Sequence, residues 1–426
     1  MNATGKDEYG VPPALVLGGE ENALSIVRSF GRRKIPVYVC AAEGCFAFKS
    51  RYCSEALVIP AGESQKQYWS RFLLDGESEK LRGAVIFPGE DEAVEYLAEN
   101  RNRLAQRFLV DDTLPEISTA MLSKLSTLEL ARKAGCPTPA FYHVESLRDV
   151  EQMEHQIRFP IMVKPVHSHR FSEHYTDRKY LIAGNKAELH DKVREMLAKG
   201  LKMIVTEIIP GPDHLQSAYF CYMTRNGQTL FDYTHQIYRR YPKNSGAACL
   251  TISKRLPATE AMGRRFFHGI GFAGLGHVEF KYDERDGQLK IIECNPRTSA
   301  AQAVVSKSGL DMPWLIYNYL VTGEEPAKTG FREGVRRWWV ILDILAFFEL
   351  RRLREISFSQ WLRSIKGPPL VFPYFCLDDP VPFISKAWKH LTHTFGKKVG
   401  VHGKRKKNNA RRTAHVDDKA SEKGRF

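Results

Sequence analysis

The 426-residue chain lacks any apolar run long enough to cross a bilayer. Its longest, from Trp338 to Phe348, is about 11 residues and contains Asp343, where a spanning helix needs roughly 20. The opening residues MNATGKDEYG have no hydrophobic signal core. Eight cysteines form no C-x-x-C pair and no zinc spacing with histidines, which excludes a zinc finger and a disulfide scaffold. Those set in apolar runs, such as Cys40 and Cys294, read as small buried hydrophobes. A reducing cytoplasm is the expected compartment, with the inner face of the membrane as a peripheral alternative. There is no internal repeat, and at 43% hydrophobic and 26% charged residues the bulk is neither disordered nor coiled coil.

A net charge of +14 invites a nucleic-acid or anionic-membrane reading. Position removes most of that appeal. Residues 1–330 hold 42 basic and 40 acidic side chains, residues 331–396 hold 10 and 6, and residues 397–426 hold 11 and 3. The body is nearly neutral and the excess is terminal.

Residues 14–17 (ALVL) read as a strand ending in Gly18-Gly19, followed by a helix with Ala23, Ile26, Val27 and Phe30 on one face, then the strand IPVYVC. The acidic pair in GGEEN disfavours phosphate, so a structural glycine turn is expected there. With strands at AVIFP and RFLV, residues 1–115 are expected to form an open parallel α/β domain. One helix is expected from about Ser118 to Ala134, then mixed strands and helices to about residue 325 as a two-lobed α+β domain, its smaller lobe over about 140–208. Residues 326–396 read as a helical extension and 397–426 as a disordered basic tail.

Side chains alternate along a strand, so Glu293 and Asn295 of IIECNPR are expected to share a face with Ile291, and Glu279 of HVEFKYD to share one with His277 and Lys281. If Arg285-Asp286-Gly287 is a three-residue hairpin loop, Glu279 falls opposite Glu293. A two-residue Asp-Gly turn would place Glu279 across from Cys294 and separate the acids. Facing carboxylates repel, which suits either a cation such as Mg²⁺ held with a polyphosphate or a solvated face where Lys281 pairs an acid. Lys164 ends an apolar strand in IMVKP, and Lys124 lies on its helix away from the apolar stripe. Both are point charges suited to phosphate.

The ordered set SKLSTLELARKAGCPTP, IMVKP, TEIIPG, HVEFKYD and IIECNPR resembles the ATP-grasp superfamily of ligases, in the carboxylate–amine ligase branch that includes D-aspartate ligase. The likeness runs over roughly residues 12–325. It implies a pre-ATP-grasp domain followed by an ATP-grasp domain. It also implies that Lys124 and Lys164 hold the ATP phosphates, that Glu207 and the backbone of Ile209 meet the adenine, and that Asp213 or His214 meets the ribose. Glu279, Glu293 and Asn295 would be the ligands of Mg²⁺, or of Mn²⁺ in its place. Arg297 would face the phosphates and an acyl-phosphate intermediate. Arg239, or its neighbour Arg240, would reach the transferring phosphate or the substrate carboxylate.

The segment at 166–180 (VHSHRFSEHYTDRKY) departs from the glycine-rich loop of many relatives. A lid using Ser168, Arg170 and Lys179 is expected there rather than a site built on His167, His169 and His174. The implied reaction joins a small-molecule carboxylate, amino-acid-like, to an amine. The alternative is a nucleotide-binding scaffold without turnover. Nucleic acid is not an expected partner, and a homodimer is left open. For the aromatic, arginine-rich residues after 330 two readings stand: helices packed on the domain with arginines reaching solvent, or an amphipathic surface meeting anionic lipid.

Overall fold

The computed structural model describes residues 10–166, 171, 174–175, 178–327, 330–367 and 369–388. The expected basic tail and the lid residues His167, Ser168, His169 and Arg170 lie outside them.

The first unit runs β1 (Ala14–Leu17), α1 (Glu21–Gly31), β2 (Val37–Ala42), β3 (Glu55–Ile59), α2 (Gln65–Leu74), β4 (Val85–Pro88), α3 (Asp91–Leu104). Its four strands lie in the order β3-β2-β1-β4, all parallel. Both faces are covered, as an all-parallel sheet requires. Ala14 and Val16 pack with Val27 and Phe30 on one side, Leu15 and Leu17 with Trp69 and Leu73 on the other. The expected strand RFLV contributes only a single bridge, Leu109 to Val85. The Gly18-Gly19 turn has a steric cause: Gly18 sits at φ +65°, and a Cβ on Gly19 would lie 2.5 Å from the carbonyl oxygen of Gly89.

The helix expected from Ser118 to Ala134 is two, α4 (Pro115–Leu122) and α5 (Lys124–Lys133). Ser123 between them is extended, and its hydroxyl accepts from the Ser126 N–H at 3.3 Å, an N-cap that starts the second helix. Lys124 therefore stands in the first turn of a new helix, and its backbone N–H donates to the Val166 carbonyl.

A small lobe follows, with β5 (Phe141–Val144), α6 (Leu147–Met153), β6 (Ile161–Pro165), β7 (Leu181–Ala183), α7 (Lys186–Ala198) and β8 (Met203–Glu207). Its antiparallel sheet has the order β5-β8-β6-β7, and Val150, Leu189, Val193 and Met196 of the two helices cover one face. The large lobe contains β9 (Gln216–Met223), β10 (Thr229–Tyr241), β11 (Ala247–Ser253), α8 (Pro257–Gly269), β12 (Gly274–Asp283) and β13 (Gln288–Asn295). After these come α9 (Gln302–Lys307), α10 (Met312–Thr322), β14 (Arg336–Trp338), α11 (Val340–Arg352), α12 (Phe358–Ile365) and β15 (Leu370–Val371). Its seven strands are ordered β13-β12-β9-β10-β11-β14-β15. Every residue of β9 is buried, because it packs against α8 on one face and the first unit on the other.

The carboxy-terminal extension is thus not purely helical, since β14 and β15 complete the edge of the large sheet. Its helix α11 is anchored by a fully buried acid. Asp343 accepts two bonds from Arg239 at 2.7 and 2.9 Å, and one each from the indoles of Trp338 and Trp361 at 3.0 and 2.9 Å. A buried pair of this kind is costly to break from one side, because the remaining charge has no water to turn to. Asp343→Ala is expected to lower unfolding free energy by about 3–5 kcal/mol, measured by urea denaturation. A change below about 1 kcal/mol would contradict the assignment.

Candidate active site

A cleft of about 510 Å³ opens between the small lobe and the large sheet. One row of its floor crosses five strands in register: Lys281 on β12, Gln216 on β9, Ile237 on β10, Thr251 on β11 and Arg337 on β14. All five line the cleft.

At the β12–β13 end of the floor, Glu279 stands opposite Glu293, and His277 opposite Asn295. This is the expected register, reached by a different route. The hairpin loop has four residues, Glu284–Gly287, with Asp283 opposite Gln288, and Gly287 at φ +70°. Such a loop would throw the acids out of step, but a bulge at Ile292 inserts one residue and restores them. The bulge also corrects the expected faces. Ile291 joins Cys294 in the core, while Ile292, Glu293 and Asn295 turn to the cleft.

Cations surround the two acids. Lys124 from α5, Lys164 from β6, Lys179, Arg240 and Arg297 all line the same cleft. Enclosure pushes the Glu293 carboxyl up, but Lys124, Lys164, Lys179 and Arg240 outweigh it and hold it below the usual range. Glu279 is raised by its enclosure, which Arg240 only partly offsets. It accepts from Gln216 at 2.8 Å and Arg240 at 3.4 Å. Burial brings the Lys164 ammonium down to about 8 despite Glu293 nearby. Two opposed carboxylates and the Asn295 amide oxygen form a hard, oxygen-only donor set, which fits Mg²⁺ or Mn²⁺. No group of three or more His, Cys, Asp or Glu that could hold a metal occurs among the described residues, so any such site here depends on the amide and on a ligand's own oxygens.

At the other wall, Glu207 ends β8, accepts from the Ala140 N–H at 3.2 Å and pairs with Arg285 at 2.6 Å. Ile209 is buried beside it and lines the cleft. Asp213 also lines the cleft, yet it accepts from the backbone N–H groups of Arg240 (2.9 Å) and Asn244 (3.1 Å). It therefore braces the β10–β11 turn. Arg297 ties the large lobe to the first unit, bonded to Asp91 of α3 at 2.5 Å and to Asn295 at 3.4 Å.

Of the two arginines expected near the transferring phosphate, the structure brings Arg240 and not Arg239 to the cleft. The Arg239 guanidinium is buried on Asp343 behind the sheet and does not line the cleft. Arg240 occupies the cleft instead, because the strand register shifts on both sides of Arg239. Sequence reasoning gave no role to a buried set on the same floor. His235 and His277 are 3% exposed, and burial pushes both imidazoles down to about 3, hence neutral. His277 stacks on Phe220 with ring centroids 4.0 Å apart. Arg337 pairs with Glu21 of α1 at 2.7 Å. Only the strand register brings these residues together, so no local motif could have marked them.

This arrangement of two facing sheets with charged groups between them is that of the ATP-grasp fold. No family model matches the chain. Its sequence is 22% identical over 372 residues to the D-aspartate ligase of Enterococcus faecium (strain Aus0004), covering 83% of this chain and 87% of that enzyme. It is 30% identical over 188 residues to the D-alanine–D-alanine ligase of Synechococcus sp. (strain RCC307), covering 41% of this chain and 51% of that enzyme. Among solved structures, biotin carboxylase of Campylobacter jejuni matches at TM-score 0.60 and 16% identity, over 76% of this chain and 74% of that one. The L-amino acid ligase of Bacillus licheniformis matches at TM-score 0.55 and 17% identity, over 75% of each chain.

The depressed Lys164 ammonium has a testable sign. A polyphosphate binds the protonated form, so affinity should be full below pH 8 and decline as pH rises through that value. Calorimetric titration of ADP across this range should show the decline, and Lys164→Met should both weaken binding and flatten the pH step. A profile unchanged in that variant would separate Lys164 from the phosphates.

Proposed function

We propose that the chain is an ATP- and Mg²⁺-dependent ligase that activates a carboxylate and joins it to an amine, with amino-acid-like substrates. The observation that carries this reading is the pairing of Glu279 with Glu293 inside a ring of lysines and arginines on one cleft wall. The named relatives, D-aspartate ligase and L-amino acid ligase, support the amino-acid class. ATP with Mg²⁺ would supply the γ-phosphoryl group, converting the carboxylate to an acyl phosphate with release of ADP; the amine nitrogen then bonds to the acyl carbon and inorganic phosphate leaves.

The residues contribute position and charge. Lys124 and Lys164 hold phosphate oxygens as point charges. Glu279, Glu293 and Asn295 hold the cation. Glu207 and Ile209 form the wall suited to the base, with Asp213 behind it. Arg240 and Arg297 face the charge that develops in transfer, where a donor in an enclosed site acts most strongly. The neutral His235 and His277 supply polar edges without repelling an incoming amine. Chemistry of this type needs orientation and neutralisation rather than a covalent nucleophile.

A panel of amino acids, offered in pairs as acid and amine, should release ADP only when both are present. Tight ATP binding with no turnover for any pair would favour a nucleotide-binding scaffold instead. Glu293→Ala should lose Mg²⁺-dependent turnover by about a hundredfold or more, and unchanged turnover would sink the assignment of the metal site. The two arginines should separate cleanly. Arg240→Ala should lower kcat with the unfolding midpoint held, whereas Arg239→Ala should lower the midpoint.

A further inference from the structure

Helix α11 is built inside out. Its acid Asp343 is fully buried, along with Ala346 and Leu350, while Ile341, Ile344, Leu345 and Phe348 face outward. These four follow the i, i+3, i+4, i+7 spacing of one helical stripe, and Ile341 and Phe348 are 67% and 62% exposed. The stripe continues onto α12. Phe347 joins the helices through Phe358 and Trp361, at centroid distances of 6.0 and 5.0 Å, and α12 exposes Phe358 and Leu362. Exposed apolar residues aligned in this way along one helix and carried onto the next mark a contact face.

Its border is basic. Arg351, Arg352 and Arg354 line a shallow recess beside Ser357 and Gln360, and Arg363 and Lys366 are exposed on and just after α12. The nearby acids are engaged elsewhere, Glu349 by the Lys243 backbone N–H and Glu355 by the Lys243 ammonium. Residues 397–426 add 11 basic against 3 acidic side chains to the same end of the chain.

We propose that the outer face of α11 and α12 is a docking surface for an anionic lipid bilayer, with the aliphatic stripe in the acyl boundary and the arginines on lipid phosphates. The charge decides the occupant. A second copy would bring like-charged arginine borders together, whereas anionic headgroups neutralise them. At 13 residues α11 is about 20 Å long, too short to span, so it lies in the plane of the interface. Asp343 fixes α11 to Arg239 on β10, one residue from Arg240 of the cleft, so docking would hold the cleft near the membrane surface.

The test is sedimentation of the full chain with phosphatidylcholine vesicles, with and without phosphatidylglycerol. Binding is expected only to the anionic vesicles and should weaken with salt. The pair Ile344→Glu/Phe348→Glu and the triple Arg351→Glu/Arg352→Glu/Arg354→Glu should each weaken it by about tenfold or more, with ADP formation unchanged. If either variant has a lowered thermal midpoint, Ile341→Ser/Phe348→Ser replaces it. No binding by the wild-type chain to anionic vesicles at low salt overturns the proposal. So does undiminished binding by the apolar variant, which would assign attachment to the tail alone. A wild-type dimer that the apolar variant converts to monomer would assign the face to a second copy instead.

Discussion

Two carboxylates facing each other across adjacent strands set the terms for everything around them. Alone, Glu279 opposite Glu293 would destabilise the β12–β13 pair. The cleft compensates with Lys124, Lys164, Lys179, Arg240 and Arg297, drawn from different parts of the chain. Among the described residues, seven lysines and arginines against five acids line the cleft, a positive excess that suits a polyphosphate. The opposed directions of the two carboxyls, Glu293 held low and Glu279 pushed up, express the same imbalance. One acid sits among lysines; the other looks mainly to Arg240.

The surrounding fold can be understood as a means of delivering those charges. The break at Ser123 starts a helix at Lys124. The end of an antiparallel strand in the small lobe places Lys164. The first unit reaches the cleft through Asp91 and Glu21, which hold Arg297 and Arg337. Behind the sheet, the Arg239–Asp343 pair secures α11 and leaves its aliphatic face outward. One strand, β10, therefore carries both a cleft residue and the anchor of α11, its two adjacent arginines pointing to opposite sides.

That strand also decides what the sequence leaves open, since either Arg239 or Arg240 is expected near the transferring phosphate. Ile237 lines the cleft, and unbroken alternation from it would select Arg239. The register shifts around Arg239 reverse the alternation and deliver Arg240. The facing acids were reached from the sequence with the wrong loop length, and the bulge at Ile292 happened to cancel the error. Bulges leave no local signature here, because they answer to the curvature of the whole sheet. Likewise, Asp343 in an apolar run counted against a spanning helix, but nothing nearby in sequence named its partner, Arg239, 104 positions away.

What the chain encodes by itself is local and periodic: the strand–turn–helix pattern of the first unit, the apolar strands ending in Lys164 and Glu207, and the ordered motifs of an ATP-grasp fold. These follow from side-chain alternation, glycine turns and apolar spacing, each decided within a few residues. Tertiary structure alone decided which arginine entered the cleft, which histidines were buried neutral on its floor, and which face of α11 met solvent. Those outcomes depend on strand register and on buried charge finding a distant partner, and both are properties of the packed sheet.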